Sequence, residues 1–128
     1  MKKVLVVDDA QVNRESIKDI LVEWGFKVDL ASSGEEAIEY VKNQPCDLII
    51  MDHMMPGLTG IETTRLMKII HPELNVIMMS FYDSEIMKPL AISAGAQGFL
   101  DKACDLKEFK KTLERVLGEC IECISEEI

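Results

Sequence analysis

The sequence alternates between two hydrophobic periods, and this alternation constrains its fold more than any other feature. Val4-Leu5-Val6-Val7 is a continuous apolar run that stops at Asp8-Asp9. The segment from Arg14 to Trp24 then carries Ile17, Ile20, Leu21 and Trp24 at helical spacing. Gly25 introduces a second strand-like run, Phe26 to Leu30. Ser33-x-x-Glu36 reads as a capping box, with Ala37, Ile38 and Val41 on one face of the helix behind it. Asp47 to Met51 is a third strand and ends at Asp52. Thr59-x-x-Glu62 opens another helix through Ile61, Leu66, Ile69 and Ile70. Leu74 to Met79 is a fourth strand and ends at Ser80. A helical stretch runs on to Ala94, where Gly95 stops it. Phe99-Leu100 sits in a short fifth strand ending near Lys102, and Asp105-x-x-Glu108 starts the last helix. Strands alternating with helices predict an α/β domain around a parallel sheet. Strands 1, 3 and 4 are apolar without alternation, as expected when helices cover both faces.

Composition narrows the function. At 128 residues the chain is one domain long and can bury roughly two thirds of its unfolded surface. The net charge of -9 repels phosphate backbones and anionic membranes, so direct nucleic-acid binding and membrane insertion are not expected. No apolar run reaches the ~18 residues of a membrane span. The first residues run straight into a strand with no cleavage signal behind it, so a cytoplasmic protein is expected. Four cysteines (Cys46, Cys104, Cys120 and Cys123) are too sparse for a disulfide framework. The methionines fall in strands and on helix faces and read as deformable core filling.

Right-handed crossovers bring all strand C-termini to one edge, where ligands of such sheets bind. Asp8 and Asp9, Asp52, Ser80 and Lys102 each terminate an apolar strand. If they converge, three carboxylates repel: two unit charges ~6 Å apart at an effective dielectric of ~20 cost about 3 kcal/mol. A raised pKa or a hard divalent cation relieves that, and Mg²⁺ is the usual ion where phosphate is also bound. A carboxylate nucleophile, a metal, a lysine and a hydroxyl together make a phosphoryl-transfer site. Taken singly, the same residues have plainer uses. Asp8-Asp9 would cap a helix, Asp52 would sit in a turn before Pro56-Gly57, and Phe99 would fill the core. His53 has no ligand partner near it in sequence and reads as a bystander.

Together these residues resemble the receiver domain of bacterial two-component response regulators. The resemblance rests on Val4 to Asp9, on Asp52-x-x-Met55-Pro56-x-x-x-Gly60, on Ser80, and on Ala94-Gly95-Ala96-x-x-Phe99-x-x-Lys102. It implies a (βα)5, flavodoxin-like, doubly wound sheet in strand order 2-1-3-4-5. The receiver domain would span residues 1–118, with 119–128 as a C-terminal helical extension or tail. By resemblance, Asp52 accepts a phosphoryl group from the phosphohistidine of a sensor histidine kinase or a histidine phosphotransfer protein. Asp9 binds Mg²⁺ directly, Asp8 assists through water, and Asp52 and the Met54 backbone carbonyl complete the protein ligands. Ser80 and Lys102 hold the phosphoryl group, and Ser80 and Phe99 form the switch. Such a domain is a signalling switch that assists its own phosphorylation and dephosphorylation, not a metabolic enzyme. Its output is a changed helix 4/strand 5/helix 5 face offered to a partner protein.

Three residues depart from the family pattern. Phe81 follows Ser80 where receivers carry a small residue, and a ring there would narrow the path to Asp52; on that view Phe81→Ala speeds phosphoryl uptake. Ala103 follows Lys102 where the family has a proline after a cis bond. A cis bond here would cost ~2.5–4 kcal/mol, so the loop is either strained or rebuilt in trans. Pro89 falls inside the expected fourth helix. A start near Lys88 would place it harmlessly in the first turn and leave Asp83 to Lys88 irregular. Beyond the family's usual end, the stripe Phe109, Leu113, Val116, Leu117, Cys120, Ile121, Ile124, Ile128 keeps helical spacing. Such a stripe either mediates a homodimer through the last helix or leads into an output domain. The Cys120-x-x-Cys123 pair reads as two small buried helix residues, with a redox or metal pair as the alternative.

Other classes fit less well. An aspartate-nucleophile phosphatase needs Asp-x-Asp, whereas His53-Met54 follows Asp52. No P-loop or GxGxxG supports nucleotide binding. A pseudo-receiver that binds protein without phosphorylation, and the receiver part of a larger regulator with a DNA-binding or enzymatic output domain, remain the alternatives.

Overall fold

The computed structural model describes residues 2–81 and 84–121. Its elements are β1 (Lys3–Val7), α1 (Gln11–Glu23), β2 (Lys27–Ala31), α2 (Gly34–Asn43), β3 (Leu48–Asp52), α3 (Gly60–Ile70), β4 (Val76–Ser80), α4 (Ser84–Ser93), β5 (Gly98–Asp101) and α5 (Leu106–Leu117). All strand pairs are parallel and the sheet order is β2-β1-β3-β4-β5. This is the flavodoxin-like order that the resemblance implies.

The side-chain period of a strand sorts the core into two layers. Leu5, Val7, Ile49, Met51, Val76 and Met78 face α2, α3 and α4, meeting Ala37, Val41, Met67 and Ala91. Val4, Val6, Leu48, Ile50, Ile77 and Met79 face α1 and α5, meeting Leu21, Phe109 and Leu113. β3 and β4 are buried along their whole length, which is why their sequences show no polar alternation. At the sheet edge, β2 is buried only at Ala31.

Helix ends follow local chemistry with one variation. Thr59 and Glu62 form the complete capping box. Ser33 accepts from Glu36 N, but the Glu36 carboxylate turns to Ser32 N and Oγ instead of closing the box. Asp105 caps α5 by accepting from Glu108 N.

Three expectations are corrected or resolved. α4 begins at Ser84, so Pro89 lies inside it and not in its first turn. The proline forfeits one hydrogen bond, while Met87 and Ala91 on either side of it are buried, Ala91 in the α2/α3/α4 layer. Asp83 itself lies outside the described residues. The Lys102–Ala103 bond is trans, as no cis peptide occurs among the described residues. Asp101 shapes that loop: its Oδ1 accepts from Ala103 N at 2.7 Å and its carbonyl from Cys104 N at 2.9 Å.

The last helix also ends earlier than its stripe suggests. Gly118 adopts a left-handed conformation (φ 73°) and its N–H closes on Glu114 O. The chain then turns, Ile121 N donates to the Glu114 carboxylate, and Ile121 is buried in the α1/α5 layer. Among the described residues of the stripe, Phe109, Leu113, Val116, Leu117 and Ile121 pack on the domain's own α1/α5 layer, while Cys120 is exposed. Cys123, Ile124 and Ile128 lie outside the described residues.

Gly60 is the glycine set most tightly against backbone. Its N–H donates to His53 O at 2.8 Å, and a Cβ there would lie 2.5 Å from the Asp52 carbonyl oxygen. Gly60→Ala must push α3 away from the end of β3 and is expected to destabilise the fold by ~1–3 kcal/mol. The check is a lowered denaturation midpoint at unchanged slope; an unmoved midpoint would show that the joint is slack.

Candidate functional site

The edge where β1, β3, β4 and β5 end collects the polar residues that terminate them. Asp8 and Asp52 continue the strand parity that faces α1 and α5, and their side chains meet. One oxygen each of Asp8, Asp9 and Asp52 lies within 4.8 Å of the others. Asp8 and Asp52 are 1% and 5% exposed, too buried to stay ionised without a partner, while Asp9 is exposed. The partner is Lys102, whose Nζ lies 2.7 Å from Asp52 Oδ1 and 3.0 Å from Asp8 Oδ2.

Backbone contacts aim these groups. Lys102 N donates to Ser80 O at 2.9 Å and so extends the β4–β5 register by one residue past the strand. Asp8 Oδ1 accepts from Ala10 N, and the Arg14 guanidinium donates to Asp8 O at 2.7 Å. Asp8 is therefore not the helix cap: Ala10 occupies that position with no side-chain cap bond. The β3–α3 loop, which carries Met54, is held by Glu35 of α2, whose Oε1 accepts from Leu58 N at 3.0 Å. Arg14 and Glu35 had no sequence signal beyond helical spacing, because each acts on the backbone of a loop remote in sequence.

Ser80 is buried at the end of β4. Phe99 is half-buried and packs on the α2/α3/α4 layer beside its register partner Met78. His53 stands outside the metal-competent group among the described residues; its backbone bonds Met79 O and Gly60 N. Burial lowers the pKa of its ring.

Electrostatics follow from crowding. Burial, aided by Asp8 and Asp9, pushes the Asp52 carboxyl up to about 6 against the opposing pull of Lys102. Burial alone would lower Lys102, but its bonds to Asp52 and Asp8 outweigh that and leave it raised. The site thus holds three carboxylates against one ammonium, and two carboxylates 4.8 Å apart repel by about 3 kcal/mol at an effective dielectric of ~20.

This fold and site define a receiver-type signalling domain. The response regulator receiver domain family matches residues 4–114, and the chain belongs to that family. It is 35% identical over 115 residues to the transcriptional regulatory protein ZraR of Escherichia coli (strain K12), covering 90% of this chain and 26% of that protein. It is 32% identical to the response regulator MprA of Mycobacterium sp. (strain KMS), covering 90% of this chain and 50% of that protein. The chain thus spans about a quarter to a half of the curated relatives it matches. Among solved structures, chemotaxis protein CheY4 of Vibrio cholerae superposes with a TM-score of 0.85 at 32% identity, covering 91% of this chain and 99% of that one. Response regulator TrrA of Thermotoga maritima, solved in complex with Mg(2+)-BeF, gives 0.84 at 32% identity, covering 91% and 100%. No helix among the described residues is long and apolar enough to cross a membrane.

The raised Asp52 pKa has a pH signature. An unfolded aspartate titrates near 3.8 and Asp52 in the fold near 6, so the folded state binds the extra proton between these values. The resulting stability is full below the unfolded pKa and is lost as pH rises through the folded one. Metal-free protein in chelator is expected to lose stability over that window. Asp52→Asn should flatten the loss and be ~1–2 kcal/mol more stable at pH 7, after allowance for solvent screening. Denaturant melts across pH check this; a variant no more stable than wild type at pH 7 would contradict it.

Proposed function

We propose that this chain is a Mg²⁺-dependent phospho-acceptor switch, with Asp52 taking a phosphoryl group from the phosphohistidine of a sensor histidine kinase or a histidine phosphotransfer protein. The observation that carries this is the buried Asp52 carboxylate, bonded to Lys102 with Asp8 and Asp9 alongside. Above pH ~6 Asp52 is ionised and so nucleophilic. Its oxygen forms the new O–P bond as the P–N bond to the donor imidazole breaks, and the departing nitrogen keeps the electron pair. Lys102 stays at Asp52 and neutralises charge on the phosphoryl oxygens, while Ser80 offers a hydroxyl from the neighbouring strand end.

The donor set suits a hard divalent cation: three carboxylates with one compensating lysine, all oxygen ligands. Asp9 and Asp52, the Met54 carbonyl, and Asp8 through water would hold Mg²⁺. When bound, the ion neutralises phosphoryl oxygens and the carboxylate excess. TrrA, a solved relative, is in complex with Mg(2+)-BeF, which supports the same occupancy here.

Exposed apolar residues at this edge offer a docking rim to the donor: Val12 and Leu106 in the first turns of α1 and α5, and Met54 and Phe81 in loops. Modification of Asp52 would be relayed by Ser80 and Phe99 to the α4–β5–α5 face, where a partner protein binds. A second reading, that this receiver is the input part of a longer regulator, draws on ZraR and MprA, which extend well past the matched stretch.

Incubation with Mg²⁺ and acetyl phosphate, followed by intact mass and peptide mapping, is expected to place one phosphoryl group on Asp52 and none in Asp52→Asn. Mg²⁺ alone is expected to raise the melting temperature as RT ln(1+[L]/Kd), with the gain lost in Asp9→Asn. Label elsewhere, or none, would end this reading.

A further inference from the structure

Phe81 is 69% exposed, yet its ring has a specific neighbour: Lys102 Nζ lies 5.4 Å from the ring centroid. That is within cation–π range. Asp52 and Asp8 occupy two of the three ammonium protons. The lysine stem is flexible, and it has somewhere else to go. A cavity of about 210 Å³ opens beside it between α1 and α5, with apolar walls from Ile17, Ile20, Leu106 and Phe109. Asp8, Lys102 and Phe81 line this cavity, whereas Asp52 and Asp9 do not. The ring therefore lies over the lysine, at the cavity mouth.

We propose that Phe81 is a positioning residue for phosphoryl transfer: the face of its ring holds the Lys102 ammonium against Asp8 and Asp52 and keeps it from swinging toward the cavity or solvent. The proposal rests on Asp52 being the phospho-acceptor. Its physical basis is that an aromatic face attracts a cation without offering a lone pair. The ring restrains the ammonium yet does not compete with incoming phosphoryl oxygens for its protons, as a carboxylate in the same place would. The ammonium is then already seated when charge develops on those oxygens, which is the condition for electrostatic stabilisation without reorganisation. This use of Phe81 differs from a steric gate over Asp52, and the two predict opposite responses to substitution.

The test compares Phe81→Leu, Phe81→Ala, Phe81→Tyr and Phe81→Trp by the rate of Asp52 phosphorylation at saturating Mg²⁺ and acetyl phosphate. Because Phe81 is largely exposed, the variants should fold, which a melting curve verifies. Loss of the ring in the leucine and alanine variants is expected to slow the saturated rate ~2- to 5-fold, the size of an exposed cation–π contact. The tyrosine and tryptophan variants should keep the wild-type rate, and the Mg²⁺ midpoint should not move in any variant. Rates that rise steadily from tryptophan to phenylalanine to leucine to alanine would mark a steric gate and overturn the proposal, as would a leucine variant equal to wild type. A measurement without donor separates this outcome from failure of the phospho-acceptor reading. The Lys102 side-chain Hε resonances should be displaced by the ring current in wild type and Phe81→Tyr and return to the ordinary lysine range in Phe81→Leu. Undisplaced Lys102 resonances in wild type would refute the stack whatever Asp52 does.

Discussion

The ion pairs from Lys102 to Asp52 and Asp8 are the constraint on which the site depends. They join residues at the ends of β5, β3 and β1, two of them 94 positions apart in the chain. Neither carboxylate has appreciable solvent to stabilise it, so removing the ammonium would leave two buried like charges together. The pairing is incomplete by design of the residue types: one cation serves a cluster of three acids. Burial, with the repulsion from Asp8 and Asp9 behind it, raises the Asp52 pKa, and a divalent cation would relieve the repulsive part. Burying the acids together thus both costs the metal-free fold stability and sets up the chemistry proposed for it.

The fold positions this cluster by ending neighbouring strands almost level. Asp52 pairs in register with Met79, and Ser80 with Asp101, so the polar residues leave the sheet along one edge. The apolar layers on both faces prevent slippage, because a shift of one residue would turn every buried side chain to the wrong layer. Side chains from flanking helices then fix the loops: Arg14 holds the Asp8 carbonyl and Glu35 holds the Leu58 amide. Gly60 lets α3 start against the Asp52 backbone, where any Cβ would collide.

Strand parity also bears on how a change at Asp52 would travel. Asp8 and Asp52 share the parity of the α1/α5 layer, whereas Ser80 follows Val76 and Met78, which face α2, α3 and α4. Phe99 packs on that second layer next to Met78. Phe99 is therefore on the opposite side of the sheet from the acids, while Ser80 ends β4 at the edge the acids share. β4, with Met79 on one face and Ser80 following the other, is the crossing point between them.

Much of this was legible in the residues. The two hydrophobic periods determined the element order, the parallel sheet and the two-layer core, because burial patterns are local and repeat every two residues or every three to four. The acids at strand ends, together with Ser80 and Lys102, marked the site as soon as the strand ends were known to share an edge. Tertiary structure alone decided the rest. Pro89 sits inside α4 because burial on the same helix, with Ala91 in the core, outweighs a local rule, and the stripe after Leu117 turns back at Gly118 because Ile121 finds room in the core. The seating of Lys102 between two acids and beneath the Phe81 ring depends on register and distance between remote strands, which no local pattern encodes.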